Sequence, residues 1–328
     1  MRSLSRRRFL EVIAATSVSG LATLRANAAP SGGSLQRWDG EALGADASIS
    51  LAGLEPGVAS DLLRACRDEI VRLEDVFSLF SENSALSRLN ANGSLAGPPE
   101  ELTALLDTCR QIFELSKGGF DPTIQPLWRL YAETYGDPRS PRVPAGTEIA
   151  ERLSLIGFGA VSWNRQRVTF DRPGMAMTLN GIAQGAITDR ITTVLRQGGA
   201  AHALVNVGEY SALGHHPEGR PWQVGIQDPR NADGVVDLVD LMDQCIATSG
   251  AYGGRFGDSG LNHIIDPRTG RSPERYLSVS VRHASATLAD GLSTAFSFMS
   301  ESEIAAAARR VGGVSAILIL ADGTRTRL

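Results

Sequence analysis

The chain has 328 residues, 42% of them hydrophobic and 21% charged, with a formal net charge of −4. That composition can bury a sizeable core in one large or two ordinary domains, and it excludes a disordered or fibrous chain. No basic stripe interleaved with aromatics is present, which argues against nucleic acid as a partner, and a single lysine, Lys117, rules out a P-loop lysine.

Residues 1–28 read as an address. Ser5-Arg6-Arg7-Arg8-Phe9-Leu10 is a twin-arginine export signal, Val12 to Leu24 is a weakly apolar run too short and polar to span a bilayer, and Ala26-Asn27-Ala28 is a small-residue cleavage site. Their removal takes away five Arg and one Glu, a net +4, leaving −8 on residues 29–328, expected to form a single domain. No lipobox cysteine stands near the cleavage site, so the expected location is the periplasm, reached by the twin-arginine route without a lipid anchor. Cys66, Cys109 and Cys245 are odd in number and lack metal-site spacing, and two lie on apolar helical faces.

Trp38 to Leu51 begins the fold, with Ala45, Ala47, Ile49 and Leu51 alternating against polar residues as a strand does. Val58, Leu62, Cys66, Ile70, Leu73 and Phe77 recur at helical spacing. Ser84 is a plausible N-cap for a short helix ending near Asn90. Leu102 to Phe113 marks another helix, stopped by Gly118-Gly119. Phe120-Asp121-Pro122-Thr123 reads as an exposed loop, and Tyr135 to Pro144 as a Pro-rich surface excursion.

The second half changes texture. Ala160–Trp163 and Val168–Asp171 read as a hairpin and Met175–Leu179 as a further strand. Asn180-Gly181-Ile182-Ala183-Gln184-Gly185 is a Gly-bearing turn leading into a helix through Ile187, Ile191, Val194 and Leu195, able to offer carbonyls to a metal or amides to phosphate. Strands are expected at Ala203–Val207, Trp222–Ile226, Gln244–Ala247, Tyr276–Arg282 and Ser315–Leu320, and helices at Thr287–Met299 and Glu301–Val311. Short strands with sparse crossover helices predict an α+β fold with largely antiparallel sheets.

Three polar clusters crowd into the stretch from Ile246 to Thr294. Thr248-Ser249-Gly250 sets two hydroxyls before a glycine, a turn that can approach an anion closely. His263-Ile264-Ile265-Asp266-Pro267-Arg268-Thr269-Gly270 joins a histidine to an Asp-Pro turn. Asp290 and Thr294, four apart in a helical pattern, project hard oxygen ligands suited to Mg²⁺ from one face. Each piece also has a plain reading: a turn, a histidine bonding to backbone, a solvated helix face. Their joint occurrence favours a metal-assisted diphosphate site with one candidate base.

In order along the chain, Phe77-Ser78 with Ser84 to Asn90, Gly119 to Thr123, Asn180 to Gly185, Thr248-Ser249-Gly250-x-Tyr252, His263 to Gly270 and Asp290-x-x-x-Thr294 resemble the FAD:protein FMN transferases, the ApbE-type family of flavin-attaching enzymes. The resemblance runs from about Gly44 to Phe298 and implies a T-fold-like α+β architecture that binds FAD with one or more Mg²⁺ ions on its diphosphate. Carried over by position, Asp290, Thr294 and the Gly181 region would hold the metal. Leu43, Ser78, Phe80, Phe120, Asp121, Gln184 and Ile264 match positions around the dinucleotide, with Ser249 and Gly250 beside them, and His263 matches the histidine linked to transfer. Two departures stand out: Gln184 replaces a common lysine or acid, and Gly208-Glu209 replaces the usual Gly-Gly before an acidic residue. The implied reaction moves FMN from FAD to a Ser or Thr hydroxyl of an acceptor flavoprotein, releasing AMP; in some exported members the acceptor is a membrane respiratory subunit of nitrous-oxide respiration. A Mg²⁺-dependent FAD pyrophosphatase and a non-catalytic flavin carrier are the competing expectations.

Overall fold

Residues 35–135, 142–256 and 259–328 are described by a computed structural model. The expected export signal and residues 136–141 of the Pro-rich excursion lie outside them. Strands β1 (Gln36–Ala42) and β2 (Ala45–Ala52) pair antiparallel across Leu43-Gly44. The φ angles of 50° and 80° at that turn match the twist of a tight hairpin. As the alternation predicts, Ala47, Ile49 and Leu51 are buried.

Helix α1 (Pro56–Phe77) buries Ala59, Cys66, Ile70, Leu73 and Phe77, with proline in its first turn where no N–H is missed. Helix α2 (Ala85–Asn92) starts where the Ser84 hydroxyl accepts the Ser87 N–H at 3.0 Å and ends at Gly93, φ 69°. Then come β3 (Ser94–Ala96), α3 (Glu100–Leu115), α4 (Gln125–Tyr135), α5 (Gly146–Ser154), β4 (Val161–Trp163), β5 (Arg167–Phe170) and α6 (Ala183–Gln197). The C-terminal half adds β6 (His202–Val207), β7 (Tyr210–Leu213), β8 (Trp222–Asp228), β9 (Asn231–Leu241), β10 (Cys245–Gly250) and β11 (Tyr276–His283). It closes with α7 (Ala286–Phe296), α8 (Glu301–Val311), β12 (Ser315–Leu320) and β13 (Arg325–Arg327).

Eight strands form one sheet in the order β1-β2-β6-β7-β10-β11-β12-β13, every neighbouring pair antiparallel. A three-stranded sheet (β3-β5-β4) and the β8-β9 hairpin complete an α+β architecture with antiparallel sheets, as expected. The main core joins one face of the large sheet to α1, α3, α6 and α7. All three cysteines are free and buried within the fold; burial pushes the Cys66 and Cys245 thiols up to about 12. Among the described residues no helix is long and apolar enough to cross a membrane.

Several expectations are corrected. Met175–Leu179 is not a strand: the Asn90 side chain takes both backbone groups of Met177 (2.7 and 2.8 Å) and Thr178 N–H donates to Pro122 C=O, so side chain and loop replace a ladder. Phe120-Asp121-Pro122-Thr123 is not exposed; Phe120 is 5% and Thr123 0% exposed. Helix α7 ends at Phe296, three residues before the expected Met299, and continues as single turns. Helices α4 and α5 and strands β3, β7, β9 and β13 lie outside the expected elements, and the strand expected over Trp38–Leu51 is instead the β1–β2 hairpin, broken at the Leu43-Gly44 turn.

Candidate active site

A cleft of ≈ 1830 Å³, counting its open mouth, runs between the β1–β2 turn, the loop before α4, the N-terminus of α6, the β6–β7 turn, β8, β10, the His263 segment and α7. Leu43, Phe120, Asp121, Gln184, Ser249, Gly250 and Ile264 line it, together with Gly181, His263, Asp290 and Thr294. Ser78 and Phe80 are not among the lining residues. The Ser78 hydroxyl accepts the N–H groups of Phe80 (3.0 Å) and Ser81 (3.3 Å), and its carbonyl accepts the hydroxyls of Ser84 and Ser87, so it shapes the loop between α1 and α2.

Helix α7 carries the proposed ligands. Its N-terminus is gripped by Asp189 of α6, whose carboxylate accepts the Ala286 and Thr287 N–H groups and the Ser285 and Thr287 hydroxyls, all at 2.6–2.9 Å. A carboxylate there meets both unpaired donors and the positive end of the helix dipole. One turn on, Asp290 is 4% exposed and its Oδ2 accepts the Gly185 N–H at 2.9 Å. A Cβ on Gly185 would stand 2.3 Å from the Ala286 carbonyl oxygen, so only glycine lets α6 and α7 approach closely enough for that bond. Thr294 Oγ1 lies 3.1 Å from Ser249 Oγ, which also meets Ser293 Oγ at 2.7 Å. A Cβ on Gly181 would sit 3.0 Å from Thr294 Oγ1; its absence leaves a gap between hydroxyl and backbone.

Glu209 also lines the cleft, in the turn between β6 and β7 and 8% exposed. Its Oε2 accepts the Thr248 N–H at 3.2 Å. Burial, with Asp290 as the next cause, pushes the Glu209 carboxyl well above its usual range; burial, opposed by the Gly185 bond and aided by Asp189, pushes Asp290 up to about 7. Among the described residues no Lys or Arg lines the cleft to neutralise them. Buried carboxylates of this kind are tolerated when they are paired or hold a cation. Among the described residues no three His, Cys, Asp or Glu side chains form a metal cage. The donor set of Asp290, Thr294 and the Gly181 backbone is of the hard-oxygen kind from which Mg²⁺ takes one or two carboxylates, with phosphate and water in its other positions.

His263 sits on a short segment pinned by a second core, in which Phe256 and Ile265 pack against Leu127, Trp128 and Tyr131 of α4. Its backbone N–H donates to Gly254 C=O at 2.8 Å and its Nδ1 lies 3.3 Å from the same oxygen. A carbonyl only accepts, so Nδ1 carries the hydrogen and Nε2 keeps its lone pair. Desolvation lowers the imidazole pKa to about 4, so the ring is neutral at physiological pH. The Asp266–Gly270 turn is architectural: Gly270 N–H donates to Asp266 C=O (2.8 Å), Arg268 pairs with the Asp266 carboxylate, and Tyr131 Oη donates to Gly270 C=O (2.7 Å). Asp121 is likewise committed, its oxygens accepting from Thr123 N–H, Thr123 Oγ1 and Phe158 N–H.

Sequence reasoning passed over Glu209 as a cleft residue, along with Asp46, Asn206 and the whole β8 wall. A Gly-Glu pair between two apolar strands signals a turn, and nothing local says the acid points inward. Strand alternation in β2 did mark Asp46 as polar.

Comparison with known proteins gives the family. The model of the ApbE family matches residues 43–318. The chain is 31% identical over 260 residues to the FAD:protein FMN transferase of Vibrio cholerae, covering 75% of this chain and 76% of that protein. It is 28% identical over 300 residues to the protein of the same name from Salmonella typhimurium, covering 88% and 85%. The solved ApbE protein of Thermotoga maritima superposes with a TM-score of 0.80 at 28% identity, covering 90% of this chain and 97% of that one. The matched span takes in every cleft element from Leu43 to Phe298, and the chain belongs to the ApbE family.

Proposed function

We propose that this protein transfers FMN from FAD to a Ser or Thr hydroxyl of an acceptor flavoprotein, with AMP as the leaving group and Mg²⁺ as the required ion. The observation that carries this reading is the convergence, in one cleft, of a neutral imidazole with a free Nε2 and the Asp290–Thr294–Gly181 oxygens. The names of the relatives point the same way.

Asp290 and Thr294 would hold the ion, whose chemistry is to neutralise charge on the diphosphate. His263 Nε2 would take the proton of the acceptor hydroxyl as its oxygen bonds to the FMN-side phosphorus. The bond from that phosphorus to the bridging oxygen breaks, and AMP departs with that oxygen. Leu43, held at φ 50° with its N–H donating to Glu74 Oε1 (2.7 Å), and Phe120 supply apolar surface beside the dinucleotide. The twin-arginine motif supports export, residues 29–328 working in the periplasm as one domain on an acceptor such as a membrane respiratory subunit.

Purified protein given FAD and Mg²⁺, with and without an acceptor domain, tests this. AMP release that depends on the acceptor is expected. Equal release without acceptor would make the enzyme a pyrophosphatase, and no release in either case a carrier.

A further inference from the structure

Three hydroxyls and one carbonyl form a chain of contacts between α7 and β10. Ser293 Oγ lies 2.8 Å from the Asp290 carbonyl oxygen, Ser249 Oγ 2.7 Å from Ser293 Oγ, and Thr294 Oγ1 3.1 Å from Ser249 Oγ. Ser293 and Thr294 are neighbours on α7, and Ser249 reaches them from β10, where it pairs with Val279 of β11. Oxygens at such distances need a hydrogen between them. The carbonyl has none to give, so Ser293 donates to it and its only hydrogen is committed. The hydrogen between Ser249 and Ser293 then comes from Ser249, and the one between Thr294 and Ser249 from Thr294. No other arrangement makes all three bonds.

The direction of this chain decides what Thr294 offers. Its hydrogen is turned toward Ser249, which leaves both lone pairs of Oγ1 free. The same oxygen faces the Gly181 backbone, where a Cβ would stand 3.0 Å away. Were the chain reversed, Ser249 would occupy one lone pair and the Thr294 hydrogen would lose its acceptor. Ser293 is fully buried, whereas Ser249 and Thr294 line the cleft, so a direction set in the interior is presented at the site. A helical serine bonding back to the preceding turn is common by itself. Here the back-bond continues through a second element and returns to the next residue of the same helix.

We propose that Ser249 and Ser293 are positioning residues, whose one-way relay from Thr294 to the Asp290 carbonyl holds the Thr294 hydroxyl with its lone pairs available to the divalent ion. This rests on Asp290 and Thr294 being ligands of that ion, as in the reading above. Partners that orient a ligand typically contribute about 10–100-fold in metal affinity.

Titration of the full chain with Mn²⁺, free ion followed by its electron paramagnetic resonance signal and no FAD present, tests the proposal apart from turnover. Ser293→Ala keeps a good helix former on α7 and removes the end of the relay. Its Kd for Mn²⁺ should rise about 10-fold. Thr294→Ala should weaken binding at least as much, and adding Ser293→Ala to it should change nothing further, because the relay acts only through that hydroxyl. Ser249→Ala cuts the relay at its first link and should match Ser293→Ala, which keeps the test decisive if the buried variant fails to fold. Parent-like Mn²⁺ binding by the serine variants, with Thr294→Ala weakened, overturns the relay and leaves the ion site standing. An equal further loss when Ser293→Ala is added to Thr294→Ala also overturns it, since Ser293 would then act through packing. Unchanged binding in Thr294→Ala overturns the ligand assignment and the relay with it. Acceptor-dependent AMP release, measured alongside, judges transfer separately: a parent protein that binds Mn²⁺ with the expected variant pattern but releases no AMP keeps the relay and overturns transfer.

Discussion

His263 shows how one residue's surroundings set its chemistry. Gly254 C=O fixes the tautomer and burial keeps the ring uncharged, the form the proposed base needs at neutral pH. Replacing it with alanine should leave FAD binding intact and slow transfer roughly 10²–10⁴-fold, the usual worth of a positioned base. A His263→Ala enzyme that transfers at full rate would make the imidazole structural. The same group shapes the acid limb of stability. Its pKa is about 4 folded against 6.5 ordinarily, so between those values the unfolded chain binds a proton that the folded one does not. Its contribution is therefore complete above about pH 6.5 and is lost as pH falls toward 4. In His263→Gln the denaturation midpoint should vary less over that window than in the parent; an unchanged slope would contradict the assignment. Asp290→Asn removes a charge while keeping the shape and should raise the Mg²⁺ concentration needed for half-maximal AMP release. An identical metal titration would reject Asp290 as a ligand.

At the scale of elements, the site depends on how α6 and α7 meet. Asp189 holds the start of α7, and Gly185 allows the contact that lets its own N–H reach Asp290. Gly185→Ala would drive a methyl into the Ala286 carbonyl, which is backbone and cannot turn aside. We expect a loss of about 1–3 kcal/mol, the usual cost of overpacking, with metal-dependent activity falling further than stability. A variant that melts and titrates Mg²⁺ like the parent would show that the two helices can separate without consequence. The periodicity of α1 and α3, the Ser84 cap and the Asp290/Thr294 spacing were legible in the sequence because each is set by local geometry. The burial of Phe120-Asp121, the irregular Met175–Leu179 segment and the inward turn of Glu209 were not. Each depends on partners far along the chain: Phe158 for Asp121, Asn90 for Met177, Thr248 and Asp290 for Glu209. Strand β9, rich in Asp and exposed apolar residues, lacks the clean alternation that would have announced it.

Across the whole molecule, the large antiparallel sheet and its helices bring together residues as distant as Leu43 and Phe298 around one cleft, and the separate β8-β9 hairpin forms one of its walls. No single segment holds the site, so the reaction should require the intact domain rather than any excised half. The most direct measurement is the intact mass of an acceptor flavoprotein domain co-expressed with this protein. The account predicts a gain of one FMN on a Ser or Thr residue, abolished when His263 is replaced by alanine. An acceptor whose mass stays unchanged, while FAD disappears as free FMN and AMP, would contradict it.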